Sequence, residues 1–279
     1  MNSKKKIIII IVVAIILAIG GGIGWYYLYK VPHDAAVAEY ESAVAIIEEK
    51  NAVLDGEIAE IQAVIDSGEE PYEEETLVNA YNAITNANDE KIVIGEMPKG
   101  TKDIISATGA LDTEVDYSKC IKKLDEAQEA LEISIQQLKN VTNPTATFVM
   151  NRLKNVEGVV DSQAVTEDND PNKQLNKAGG YTAAVFFQHS DVNQSKIVVI
   201  GKNDIVGKGT QCGGAVEVFA SVEDANKRND YLATFDGGVL SSGSHTVVGT
   251  CVIRTSKELT ATKQKETEAA VTEALLAVE

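Results

Sequence analysis

The sequence predicts an α+β protein on a membrane anchor: an N-terminal transmembrane helix, an all-α helical bundle or coiled-coil stalk, and a C-terminal α+β sandwich with a mostly antiparallel sheet. Three observations predict it. Residues 7–29 carry no charge, residues 37–65 and 117–138 repeat apolar side chains every three and four positions, and beyond Pro144 short β-branched runs alternate with Gly-rich turns. The expected organisation is a cytoplasmic stub at 1–6, an anchor at 7–29, an acidic helical bundle at 34–143 and an α+β domain at 144–279.

The anchor comes first. Five isoleucines open the uncharged run, followed by Val12, Val13, Ile15, Ile16 and Leu17. At about 1.5 Å per residue the run spans a hydrocarbon core of roughly 30 Å. Lys4, Lys5 and Lys6 precede it and only Lys30 follows closely, which orients the N-terminus toward the cytoplasm and residues 31–279 outward at the plasma membrane. Ile7, Val13 and Leu17 belong to the apolar span, and Trp25, Tyr26, Tyr27 and Tyr29 to an aromatic belt at its outer end. The competing reading is a cleaved signal peptide, but the apolar run exceeds the usual length of such a region. Gly20 and Gly24 have the spacing that packs two anchors together, or they are simply small residues near a helix end.

Charge then divides the remainder. Residues 31–143 hold 25 acidic and 8 basic side chains, and residues 144–279 hold 17 and 13, so the composition shifts near Asn143 and Pro144. With 42 acidic residues against 25 basic, and a formal charge of -17, the chain lacks the electrostatic footprint of a nucleic-acid binder. Asp34 reads as a helix N-cap. After it, Val37, Tyr40, Val44, Ile47, Leu54, Ile58, Ile61 and Ile65 alternate in steps of three and four, with Asn51 filling the missing place. From Tyr117 the pattern recurs through Ile121, Leu124, Leu131, Ile135 and Leu138, interrupted by Gln128. If these helices run antiparallel, Asn51 faces Gln128 and the amide pair sets the register, with residue 40 near 139 and residue 65 near 114. Between them, Pro71 opens one helix and Thr101 caps a shorter one. A parallel homodimer along the first helix is the alternative to this monomeric bundle.

The stretch DYSKCIKKLDEAQEALEISIQQLKNVTNP, residues 116–144, resembles the last helix of the three-helix FIVAR and Ebh-like modules of Gram-positive surface proteins. The segments AVTEDNDPNKQLNKAGGYTAAVFF, VEVFASVEDANKRNDYLATFDG and SGSHTVVGTCVIRTSKELTATKQKE look like the C-terminal half of single-span proteins labelled EbhA in gut Firmicutes and Bifidobacteria. This resemblance covers most of residues 116–279. It implies a surface location and little about mechanism, the family having no established enzymatic role, and the helices before residue 90 depart from the repeat modules.

In the C-terminal part, Pro144 starts a helix bearing Phe148, Val149, Leu153 and Val156, and an Asn-rich acidic loop, TEDNDPN, leads to a strand at 181–187. Further strands are expected at 196–201, 215–220 and 246–254, and helices at 222–235 and 260–278. The order α-β-β-β-α-β-α suggests helices on one face of the sheet.

No pattern completes a catalytic or metal constellation. His33, His189 and His245 have no zinc-type spacing, and no cofactor is expected. Asp168, Asp170 and Asn172 imitate the opening of a calcium loop, but Lys173 and Gly179 occupy its glycine and glutamate places. Residues 201–208 imitate a phosphate loop with one residue too many, and Gly209 replaces its Ser or Thr. Ser242, Ser244 and His245 adjoin without a separate base. Cys212 and Cys251 would bond if adjacent strands bring them together outside the cell, or remain two buried thiols, and Cys120 reads as a small apolar residue. Asn140 and Asn193 fit a glycosylation triplet, relevant only in a glycosylating host. Gly207, Thr210 and Gln211 in one loop, and Ser244 and His245 in another, are the candidate binding loops. The expected function is a non-catalytic, membrane-anchored extracellular surface protein, its domain binding an envelope component or protein partner. The alternatives are a dimeric structural stalk and an envelope hydrolase using His245.

Overall fold

The computed structural model describes residues 3–199, 202–238 and 241–278, with side chains from Ile9 onward. The chain forms two compact units, Met1–Ser67 with Val78–Glu129, and Gly68–Leu77 with Ala130–Glu279.

In the first unit, helix α1 (Ser3–Trp25), a single π turn (Tyr26–Lys30) and helix α2 (Val31–Asp66) form one uninterrupted helix. This replaces the expected fresh start at Asp34. Pro32 has no N–H, and its ring would crowd the Leu28 carbonyl four residues back. The π turn widens the helix just there, with the Val31 N–H bonding Tyr26 O five residues back, so the helix passes the proline without breaking. Trp25, Tyr29 and His33 stack one per turn across it, with ring centroids 6.1 and 5.8 Å apart. One helix is therefore long and apolar enough to cross a membrane, and its apolar stretch is wholly exposed.

The heptad face of α2 is buried within the single chain: Ile47, Leu54 and Ile61 are fully covered, and Tyr40 nearly so. Helix α3 (Glu74–Glu90) runs back along α2, ending where Lys91 meets Asp55 at 2.7 Å. Residues 92–100 continue in the same direction without helix, passing Tyr40, whose hydroxyl donates to Gly95 O at 2.9 Å. Helix α4 (Thr101–Ala110) then starts level with His33, which bonds the Thr101 hydroxyl at 3.1 Å. Its Ile104 packs on Ala36 and Tyr40.

From there the chain climbs again. Lys50 Nζ donates to Thr113 O and Val115 O at 2.8 and 2.7 Å, and Glu57 senses Asp125. Helix α5 (Ser118–Val141) is thus parallel to α2, not antiparallel, because α3 and the extended segment have already made the return. The expected Asn51–Gln128 register pair is corrected accordingly. Asn51 Nδ2 donates to Ile92 O at 2.9 Å, the Tyr117 hydroxyl donates to Asn51 Oδ1 at 2.8 Å, and the Ile92 N–H donates to that hydroxyl at 2.9 Å. Gln128 lies about 16 Å further along its helix from Tyr117. The seam amide does lock a register, but with a tyrosine and a strand-like backbone rather than with a second amide.

The second unit holds α6 (Ala146–Leu153), β1 (Val159–Ala164), β2 (Ala183–His189), α7 (Ile205–Lys208), β3 (Gly213–Val218), α8 (Val222–Ala233), β4 (His245–Val248), β5 (Cys251–Thr255) and α9 (Ala261–Leu276). Its five strands are antiparallel throughout, in the order β1-β2-β3-β5-β4. Strand alternation sorts the side chains into two cores. Val185, Phe187, Val216, Val218, Cys251 and Ile253 meet α6 and α9 on one face. Phe186, Ala215, Val252 and Phe219 meet α7 and α8 on the other. Helices therefore cover both faces rather than one. The expected strand at 246–254 is a hairpin, turned at Gly249 with φ +56, where a side chain would strike Val141 at 2.5 Å. The expected strand at 196–201 forms no ladder through residue 199, and residues 200–201 lie outside the described residues.

Candidate functional site

Strand β3 reads Ala-Val-Glu-Val, and alternation drives Glu217 into the apolar core beside Phe219 and Ala215. A carboxylate there requires partners. Arg228 of α8 supplies two, with Nε to Oε2 at 2.6 Å and Nη2 to Oε1 at 3.0 Å. Arg254 of β5 supplies a third, Nη1 to Oε1 at 2.6 Å. Burial alone would raise the Glu217 pKa, but Arg254 and Arg228 outweigh it and hold the carboxyl below the ordinary range. Arg254 Nε is buried without a hydrogen-bond partner, so the triad is not fully satisfied.

Next to this triad, residues 166–181 form a loop organised by one side chain. Asp170 Oδ2 accepts the backbone N–H groups of Gln174 and Leu175 at 2.7 Å each, and Oδ1 accepts that of Asn172 at 2.9 Å and the Tyr181 hydroxyl. Burial pushes this carboxyl up, but the Tyr181 and backbone donors prevail and hold it below its usual value; burial and the adjacent carboxylate raise the Tyr181 phenol. The calcium-like spelling of the loop thus has another use. Backbone donors and a phenol occupy the oxygens that a cation would claim, and among the described residues no three acidic, His or Cys side chains group to hold a metal.

Between this loop and α8 lies a cleft of about 370 Å³, walled by Asn172, Gln174, the Gly179–Gly180 backbone, Asp224, Lys227 and Tyr231 over a floor of Tyr181 and Phe219. Ser221 caps α8, its hydroxyl accepting the Asp224 N–H and donating to Asp224 Oδ2, which fixes that carboxylate at the helix start. Lys227 is paired to Glu223 at 2.7 Å, and Arg228 lies 5.6 Å over the half-exposed Tyr231 ring. A larger groove of about 850 Å³ runs beside β4 and α9, where Lys265 and Glu268 bond each other at 3.0 Å and Glu273 is the third charged residue.

The residues singled out from sequence fall elsewhere. Val13, Leu17, Trp25, Tyr26 and Tyr29 lie exposed on the long helix; Ile7 is in α1 with its side chain outside the described ones. Gly207, Thr210 and Gln211 lie in α7 and a 3₁₀ turn (Gly209–Cys212), not in an open loop, because Asp204 caps α7 by accepting Gly207 N–H and Cys212 is fully buried. Cys212 and Cys251 are free thiols. Val218, at the far end of β3 from Cys212, is the residue that pairs with Cys251, which sets the two cysteines about 20 Å apart, and they serve opposite cores. No disulfide joins them. Burial pushes their thiols up, to about 11 for Cys212 and about 12 for Cys251. His245 faces α8, its Nδ1 2.7 Å from Asn229 Oδ1 and its Nε2 3.3 Å from Asp236 Oδ1. Its neighbour Ser244 points to the other face and shares a 2.8 Å hydrogen bond with Thr255 Oγ1. Asn140, in one glycosylation triplet, is buried and donates to Ala277 O.

Sequence reasoning missed Glu217, Arg228 and Arg254. The available signal was the lone charge in AVEVF, which must be buried if its valine neighbours face the other core. No family model, characterised protein or solved structure matches this chain.

Proposed function

We propose that this chain is a non-catalytic surface protein, anchored by α1 in the plasma membrane with residues 31–279 outside, whose sheet-bearing unit binds an envelope component through the cleft between the Asp170 loop and α8. One observation carries the reading: an exposed apolar helix passes without a break into the acidic helix α2, whose own apolar face is covered by its chain. An apolar stretch of that length left bare in water is unfavourable by tens of kcal/mol at about 25 cal/mol per Å², so a lipid environment accounts for it. The lysines at 4–6 supply the orientation, and the resemblance of residues 116–279 to surface proteins agrees with it. The covered heptad face weighs against a dimeric stalk. Against a hydrolase centred on His245 stand its two polar partners and the location of Cys251 in the opposite core.

The test is protease treatment of intact cells carrying a tag after residue 279, with alkaline extraction of the membranes. Retention in the extracted membrane together with loss of the tag from intact cells supports the reading. Release by alkali, or a tag protected until the cells are broken, refutes it.

A further inference from the structure

We infer that the cleft between the Asp170 loop and helix α8 binds a saccharide, an inference that rests on the proposed reading of this unit as a binding module. The cleft is built before any ligand arrives. Asp170 fixes one wall through three backbone donors, the Ser221 cap fixes Asp224, and Glu217 holds Arg228 by two hydrogen bonds. A site with immobilised walls loses little entropy on binding. Its volume of about 370 Å³ is at the small end of ligand clefts.

Charge decides the ligand class. Both cations at the cleft are paired inside the unit, Lys227 with Glu223 and Arg228 with Glu217, and Asp224 is held by the Ser221 hydroxyl with the shared Lys227 at 3.9 Å. A strongly anionic ligand would find no unpaired cation and would have to draw Lys227 or Arg228 from its partner. What the cleft offers are the exposed Gln174 amide, the Asn172 amide beside the Tyr181 phenol, the backbone of Gly179 and Gly180, and Tyr231, a residue 55% exposed at the rim. Amides donate and accept at once, which suits vicinal hydroxyls. An exposed aromatic face accepts the C–H side of a pyranose ring, whose apolar face and polar edge match an amphipathic tyrosine. An aliphatic or purely apolar ligand would leave the amides unpaired, at a cost.

The experiment uses the full chain in phospholipid nanodiscs, which avoids sugar-headed detergents. Chitotetraose, maltotetraose and mannotetraose are titrated by calorimetry and by saturation-transfer NMR. We expect at least one to bind with a Kd of about 1 mM or tighter, weakened about tenfold or more by Tyr231→Ala and by Gln174→Ala. Tyr81→Ala, a control at another exposed tyrosine, should leave it unchanged. Amide-exchange protection in β3 reports whether each variant is folded. Absence of binding by all three sugars, or binding indifferent to both cleft substitutions in folded protein, overturns the inference.

Co-sedimentation with isolated cell envelopes separates this from the underlying reading. Capture abolished by periodate, which cleaves vicinal diols, and resistant to protease supports a saccharide. Capture abolished by protease and resistant to periodate overturns the saccharide while leaving the binding module. No capture at all overturns both.

Discussion

Replacing Glu217 by Gln tests the account of the sheet-bearing unit at its most demanding point. The carboxylate is fully buried and is shared by two guanidinium groups, so the amide leaves both with reduced compensation. Arg228 retains 22% side-chain exposure and can turn toward water, whereas Arg254 is only 10% exposed and already carries an unpartnered Nε. Removing one partner of a buried pair costs about 3–5 kcal/mol, a large part of the stability of a domain. Protection of β3 and β5 amides in native-state exchange should fall by about two to four orders of magnitude in Glu217→Gln. Arg228→Met should cost less, because Glu217 keeps Arg254. Replacing all three by Leu, Met and Met should recover most of the loss, since the buried charges and their desolvation disappear together. The carboxyl is held below its unfolded value, so near pH 4.5 the unfolded chain binds more protons than the folded one. The triad's contribution is therefore present above that pH and is lost as pH falls through the folded value; Glu217→Gln should flatten this dependence. A loss of protection below about tenfold would refute the reasoning, because it would mean that solvent, not Glu217, balances the arginines.

Three further outcomes are expected. His189 is buried, its Nδ1 accepts the Asp191 N–H at 3.1 Å, and burial depresses its pKa, offset in part by Asp191, so the unfolded chain binds more protons. Stability should fall as pH drops below about 6.5, toward the lower folded value, and thermal unfolding of His189→Gln should lose that slope. Asn51→Leu strips two hydrogen bonds from the Asn51–Ile92–Tyr117 ring and should destabilise the helical unit by about 1–3 kcal/mol in urea titration, with no change in oligomeric mass by light scattering. Cys120, Cys212 and Cys251 are buried with thiols raised by burial, so the folded chain at pH 8 should resist a maleimide and the unfolded chain should take three, with or without prior reduction.

The helices were legible because their signals are local. The three-four spacing from Tyr40 to Ile61 names the buried face of α2 without reference to any partner, and the uncharged run names the helix long and apolar enough to cross a membrane. Helix direction was not legible. Two seams with one amide each fit parallel and antiparallel pairings equally, and the choice was made by residues 92–100, which have no periodicity of their own. The same limit applies to strands. β1, Val-Val-Asp-Ser-Gln-Ala, is a bulged, polar edge strand, so its alternation is weak and only pairing with β2 identifies it. The hairpin at Gly249 hid in an apolar run because its turn spends only Gly249 and Thr250 between two strands rich in β-branched residues.

The cleft between the Asp170 loop and α8 was hidden for a related reason. Motif searching rewards residues close in sequence, such as Ser244 with His245 or Asp168 with Asp170. In this chain Ser244 bonds Thr255 while His245 bonds Asn229, although both border one cleft of about 350 Å³, and Asp170 is turned inward by its own backbone. The groups that do converge come from residues 172–181 and 224–231, joined only because β2 pairs with β3 and α8 follows β3 directly. Their common feature in the sequence is indirect: Glu217, midway along β3, has no reason to be buried unless a helix arrives bearing a cation at the right turn. Arg228, seven residues into α8, meets that requirement and in doing so brings Asp224, Lys227 and Tyr231 to the Asp170 loop. The buried charge is thus the element that orients the site, and a substitution at Glu217 should disturb the cleft as well as the core beneath it.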